Sequence, residues 1–341
     1  MAFLDDFPRV RINFLPTPLA ELKRLSQALG GPRIFIKRDD LTGPALGGNK
    51  TRKLEFLLGE ALRQGCDTVL TCGSMQSNLC RQTAGAAAAA GLQCHLALGG
   101  GPPAAVDHNL LLDHLLGATI HWCGDHSKGE TMPAIAEQLR AAGRRPYVIP
   151  YGGSTEVGAL GFVAAMAEVQ EQLRALGVEP RCLVVPTSSC GTQAGMIAGR
   201  EVCGLPARVL GIAIDRDAPG DPSYESEVAE LATQVARKLG SKRGFRPADV
   251  QVRYEFMGAG YEVVSDAMRE AVALTARLEG VLLDPIYNGR AMAGLISMAR
   301  SGELSRGDTA LYWHTGGLPA LFRFAADMLP WKTRGAPPII Y

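Results

Sequence analysis

Short runs of β-branched and apolar residues alternate with longer stretches whose apolar positions recur every three or four residues, almost from end to end of the chain. This alternation predicts βαβ units, with strands at 33–37, 68–72, 94–98, 119–122, 146–149, 182–185, 209–214, 281–283 and 310–313. The predicted class is α/β, and open sheets of that class bind ligands beyond the carboxyl ends of their strands. Four of those ends carry polar or glycine-rich sequence: TCGSMQSN at 71–78, TSSCGT at 187–192, DPIYNG at 284–289 and HTGG at 314–317. Together they can line one cleft, although each is also what an ordinary strand-to-helix turn requires for capping and backbone conformation.

At 341 residues the chain exceeds one compact domain of usual size, so two domains are expected. Gly47-Gly48 and the Tyr151-Gly-Gly-Ser154 turn bracket a compact series of strand and helix units. The smaller domain is expected at 47–158, and the segments 1–46 and 159–341 are expected to combine into the larger one.

Composition then removes several classes of function. Thirty-five Lys plus Arg against thirty-four Asp plus Glu leave a formal charge of +1, with no basic field to steer nucleic acid. No run approaches the roughly 18 apolar residues of a membrane span, and the start has no basic segment leading an apolar one. A cytoplasmic protein with no membrane or nucleic-acid partner is expected. The eight cysteines form no C-x-x-C pair and have no clustered histidine, so no metal site is expected.

Two places carry candidate chemistry. Lys50 follows Gly47-Gly48-Asn49 and precedes a helix whose apolar face runs through Leu54, Leu57, Leu58 and Ala61. A lysine at a helix start, partly buried in a cleft, is biased toward the neutral amine that attacks an aldehyde. The bland alternative is a charged lysine, its field offset by a carboxylate such as Asp39 or Asp40. The second place is SSCGTQAG at 188–195, which follows an apolar strand and opens a helix, so that backbone amides converge on a dianion. It lacks the Gly-Lys-Ser/Thr ending of a P-loop and the G-x-G-x-x-G of a dinucleotide site, which leaves a single phosphate as the better fit.

With GGNKTRKLEFL at 47–57, QSN at 76–78 followed by Arg81 and Gln82, GTQAGM at 191–196, LLDPIYNGRAMAGLI at 282–296 and HTGG at 314–317, the chain resembles the D-cysteine desulfhydrase and 1-aminocyclopropane-1-carboxylate deaminase family. The resemblance implies the tryptophan-synthase-β type of fold, with two open, mostly parallel sheets flanked by helices, a homodimer, and pyridoxal 5'-phosphate held between the domains. It also implies roles. Lys50 is the Schiff-base lysine, Asn78 faces the cofactor's 3-hydroxyl, and Ser77 meets the substrate carboxylate or assists proton transfer. Lys53 is a cation near the phosphate, whose cup is Ser189, Cys190, Gly191 and Thr192. Tyr287 stacks on the pyridine ring, and Tyr261 is the second active-site tyrosine.

Within that family the deaminases carry Glu after the stacking tyrosine and Leu after the histidine of the last motif, whereas this chain has Asn288 and Thr315. A neutral side chain near the pyridine nitrogen favours the desulfhydrase-like branch and β-elimination from a small amino acid such as D-cysteine. Leu79 and Cys80 replace the residues usual after QSN, and Cys190 stands where glycine is usual, so L-cysteate or another β-substituted alanine stays open as substrate. So does 1-aminocyclopropane-1-carboxylate. A ligand-binding protein without catalysis would need none of Lys50, Ser77, Tyr261 and Tyr287. A nucleotide-dependent oxidoreductase shares the α/β pattern but would need the missing glycine fingerprint.

Overall fold

The computed structural model describes residues 2–215 and 223–329; residues 1, 216–222 and 330–341 of the expected larger domain lie outside the described residues. Two sheets organise the chain. The larger runs in the order β1 (Leu19–Glu21), β2 (Arg33–Arg38), β10 (Thr309–His314), β7 (Cys182–Thr187), β8 (Arg208–Ala213) and β9 (Gln251–Arg253). Its pairs are parallel except β1 with β2. The smaller runs β5 (Thr119–Trp122), β4 (Gln93–Leu98), β3 (Thr68–Gly73) and β6 (Pro146–Val148), all parallel.

Side chains that alternate along a strand fall on opposite faces, and here both faces are covered, as parallel sheets require. Phe35, Leu183, Val185, Leu311 and Trp313 enter one apolar cluster of the larger sheet, while Ile34, Ile36, Cys182, Val184 and Tyr312 enter the other. In the smaller sheet Val69, Leu96 and Leu98 pack with Leu54, Leu57 and Leu58, and Leu70, Cys72 and Ala97 pack with Ile135 and Leu139 on the other side. Val10 and Ile12 also pack against the cluster of Val69 and Leu96.

The strand expected at 281–283 does not form. The central strand β10 already has β2 and β7 as its two neighbours, so no hydrogen-bonding edge is left for that segment. It is nevertheless anchored, because Leu282 O lies 3.0 Å from His314 Nε2 and Leu283 is buried. Two strands absent from the sequence reading, β1 and β9, are three-residue edges, too short to show a period.

The Asn49–Arg63 helix lies between the two sheets' layers, packing against the Glu156–Leu176 and Asn78–Ala90 helices. Its Arg52 is buried and tied to Asp39 Oδ1 at 2.7 Å and Glu168 Oε1 at 3.0 Å. Lys37 Nζ reaches the same Glu168 at 2.5 Å, and Trp313 Nε1 donates to Asp39 Oδ2 at 2.7 Å. Against the cost of burial, Arg52 and Lys37 pull the Glu168 carboxyl down to about 2. This network fixes the helix against the larger sheet, and with it the position of Lys50.

Candidate active site

The carboxyl ends of β3, β6, β7 and β10 open onto one cleft, together with the start of the Lys50 helix and the 284–289 loop. Lys50, Ser77, Asn78, Ser189, Cys190, Thr192, Tyr287 and Thr315 all line it. Lys53, Gly191, Asn288 and Tyr261 stand behind that lining. The sequence reading had missed four lining residues, Asn49, Tyr151, Gly152 and Pro186, and Ser154, whose hydroxyl donates to Ser189 Oγ at 3.2 Å and accepts Gly191 N–H at 3.3 Å.

Lys50 sits in the first turn of its helix, with Nζ 3.5 Å from Ser189 Oγ. Burial pushes its amine down to about 8, only weakly opposed by Cys190. The carboxylates that might have offset its charge are elsewhere: Asp39 is held by Arg52, Thr17 and Trp313, and Asp40 by Arg38. Lys53, one turn on, donates to Gly152 O at 3.0 Å, and burial first, then repulsion from Lys50, holds its amine well below the usual lysine range. Among the described residues neither amine has a carboxylate partner within ion-pair distance.

The cup begins with a tight turn in which Gly191 N–H donates to Ser189 O at 2.7 Å across Cys190. Cys190 is forced to φ 62°, ψ −36°, a strained conformation for an L-residue. The turn aims the start of the Gly191–Cys203 helix, and its positive end, at the cleft. Asn49 Nδ2 donates to Thr192 Oγ1 at 3.0 Å, joining the cup to the Lys50 helix. The backbone is packed tightly here: a Cβ on Gly191 would come within 2.8 Å of Lys53 Nζ, and one on Gly152 within 2.0 Å of Ser189 Oγ.

On the opposite wall Ser77 caps the Asn78–Ala90 helix, accepting Cys80 N–H at 3.3 Å, and Asn78 Oδ1 accepts from Asn109 Nδ2 at 3.1 Å. The Pro285–Gly289 segment forms a π-turn, its start held by the Asp284 carboxylate, which accepts from Tyr287 N at 2.7 Å and Asn288 N at 3.1 Å. The Tyr287 and Tyr261 hydroxyls lie 2.5 Å apart with their rings edge to face. Burial raises the Tyr261 hydroxyl to about 12 and Tyr287 well above its ordinary value, so both keep their protons.

Asn288 spends its amide inside the protein. Nδ2 donates to Asp284 Oδ1 and Gly316 O, both at 2.6 Å, and Oδ1 accepts from Thr315 N at 2.9 Å and Tyr312 OH at 3.1 Å. It positions Thr315 and does not itself face the cleft.

A half-buried and a buried amine without carboxylates, beside a helix start and a ring of hydroxyls, make a receptor for an anion that carries an amine-reactive carbon. Residues 10–316 match the family described as pyridoxal-phosphate dependent enzyme. The chain belongs to that family.

A D-cysteine desulfhydrase of Salmonella paratyphi B (strain ATCC BAA-1250 / SPB7) is 41% identical over 329 residues, which span 94% of this chain and 97% of that protein. The D-cysteine desulfhydrase of Salmonella newport (strain SL254) matches to the same extent. A crystal structure of an ACC deaminase homologue superposes with a TM-score of 0.87 at 36% identity, covering 96% of this chain and 97% of that one. As in other pyridoxal-phosphate dependent enzymes of this fold, the cofactor is pyridoxal phosphate, and the cleft fits it. The Lys50 and Lys53 amines, without carboxylate partners among the described residues, suit an aldehyde and a phosphate, and Thr187 Oγ1, buried on the cleft wall, has no partner within the protein. Among the described residues no helix is long and apolar enough to cross a membrane.

Proposed function

We propose that this protein is a lyase that eliminates the β-substituent of a small amino acid, with D-cysteine and water giving pyruvate, ammonia and hydrogen sulfide. The observation that carries this reading is the Lys50 amine, which lines one cleft with Ser77, Ser189 and Tyr287 and has no carboxylate partner among the described residues. The relatives named D-cysteine desulfhydrase support the choice of substrate.

Pyridoxal phosphate, when bound, supplies an aldehyde and an electron-withdrawing ring that acidify the α-hydrogen of an amino acid. Lys50 Nζ would hold the aldehyde carbon and, when neutral, would serve as the base for the substrate's α-proton. Ser77 Oγ, held in place as a helix cap, donates to the substrate carboxylate, and Asn78, oriented by Asn109, faces the cofactor's 3-oxygen. Lys53 with the Ser189–Thr192 turn would hold the phosphate, and Tyr287 would pack against the ring. The Tyr261–Tyr287 hydroxyl pair, which keeps its protons, would steady the departing sulfur by hydrogen bonding rather than by proton transfer. Thr315, positioned by Asn288, offers the pyridine end a neutral partner.

We place the small domain at 47–158 and the large domain in the flanking segments. A homodimer is supported by an apolar surface groove that exposes Phe14, Leu41, Leu46 and Leu282 together. A cytoplasmic location agrees with eight cysteines, none in a disulfide. The deciding experiment is a panel of both enantiomers of cysteine, serine, cysteate and chloroalanine, plus the cyclopropane amino acid, scored for pyruvate, sulfide or 2-oxobutyrate. D-cysteine as the best substrate supports the proposal; the cyclopropane amino acid as the best overturns it.

A further inference from the structure

The Gly47-Gly48 turn that leads into the Lys50 helix belongs to a longer unusual run. Ala45, Leu46, Gly47 and Gly48 all have positive φ, at 51°, 64°, 58° and 127°, and two of the four are not glycine. Such a run is unfavourable for L-residues and persists only where its surroundings hold it. Some of the holding is local: Gly47 N–H donates to Pro44 O at 3.0 Å, and Gly48 N–H to Thr42 Oγ1 at 2.8 Å. The rest comes from the Asn78–Ala90 helix. Arg81 donates through Nη1 to Ala45 O and through Nη2 to Gly47 O at 3.3 Å, and Gln82 Oε1 accepts Thr51 N–H at 3.0 Å. Helix and run are in close contact, since a Cβ on Gly85 would come within 2.6 Å of Ala45 Cβ.

Arg81 is fully buried, and among the described residues no carboxylate lies within ion-pair distance of it. Burial pushes its guanidinium down to about 10, opposed by the charge of Asp113, whose two carboxylate oxygens are buried without a hydrogen-bond partner. A buried charge bonded to carbonyls alone is costly, and an apolar side chain would serve packing better. What an apolar side chain could not supply is a planar fork that spans the carbonyls of residues 45 and 47. We propose that Arg81 is a positioning residue for Lys50: its guanidinium fixes the left-handed run at 45–48, and with it the place of the Lys50 amine beside Ser189. It acts through the backbone and touches neither cofactor nor substrate. This inference rests on Lys50 as the lysine that receives the cofactor, and not on the choice of lyase reaction.

The test uses the full chain stripped of cofactor and compares two ligands. Pyridoxal phosphate reports covalent capture by Lys50, trapped with borohydride over time; pyridoxine 5'-phosphate has the same ring and phosphate but no aldehyde, and reports binding alone. Arg81→Met should slow capture by on the order of 10²-fold, the effect of displacing a reacting group by about 1 Å. Pyridoxine 5'-phosphate should bind that variant within about threefold of the parent. Arg81→Lys keeps the charge but not the fork, so its capture rate should fall between the two, and it carries the comparison alone if Arg81→Met does not fold. Hydrogen exchange of the apo protein should quicken in either variant at residues 43–51 and stay at the parent's level in the Gly191–Cys203 helix. Capture at the parent's rate overturns the proposal. So does an equal loss for the two ligands, or faster exchange throughout the chain, either of which makes Arg81 a residue of general stability. A parent labelled on another lysine removes the Lys50 reading and this inference together, an outcome seen before any variant is made.

Discussion

Arg52 and its near neighbours Lys50 and Lys53 share one helix and are all largely buried, yet they are treated in opposite ways. Arg52 is enclosed by Asp39 and Glu168, which against burial hold its guanidinium more firmly charged than usual. Lys50 lines the cleft and Lys53 stands just behind it, their neighbours a serine hydroxyl, the Gly152 carbonyl and each other, and both amines are pushed down. The first arrangement anchors the helix. The second leaves two amines whose missing partners must come from a ligand, and the difference separates structural from functional burial without reference to any relative.

The comparison is broken most severely by removing the amine that does chemistry. Lys50→Ala should lower turnover by at least ~10³-fold, while the melting temperature of the apo protein stays level or rises, because a desolvated amine has been removed. Steady-state kinetics beside apo melting checks both halves. On the opposite face, Asp39→Ala leaves Arg52 with an incomplete cage and should cost about 3–5 kcal/mol of stability, measured by urea unfolding. Lys53→Met should weaken pyridoxal phosphate by roughly tenfold, through loss of one charge-assisted contact, without destabilising the apo form.

The pH dependence sharpens the contrast further. With the Lys50 amine at about 8, the rate of cofactor capture by apo protein should rise about tenfold per pH unit below that point and level off above it. A lysine in the unfolded chain titrates near 10.4, so between pH 8 and that value the unfolded state holds the proton more tightly. Apo stability should therefore increase with pH across the same window. The smallest effect is expected at the cup, where Cys190→Gly relieves the strained φ at the turn. Part of that gain is offset by unfolded-chain entropy, leaving up to about 1 kcal/mol, read from thermal melts of the apo protein.

Much of the cleft was legible because its parts lie at strand ends and helix starts, places that turn chemistry marks in a sequence. Lys50, the Ser77-Asn78 pair and the Ser189–Thr192 turn were found that way, and the structure gathers them around one cleft. Ser154 was invisible because its partners are residues 189 and 191, and Tyr151-Gly-Gly-Ser154 reads locally as a plain turn. Thr187 was marked as the start of the polar strand end TSSCGT, but that its hydroxyl is left unpaired shows only in the fold. The Lys37–Glu168–Arg52–Asp39 network was hidden for a related reason: charged residues read as surface until distant partners are known. The segment 281–283 is apolar enough for a strand, but the strand it lies beside, β10, is already paired on both sides by β2 and β7.

The central claim is that one bare amine, Lys50, receives the cofactor. Protein reconstituted with pyridoxal phosphate, reduced with borohydride, digested and mapped by mass spectrometry tests it directly. The account predicts one pyridoxyl group per chain, on Lys50; a label on Lys53 or another lysine, or none, would contradict it.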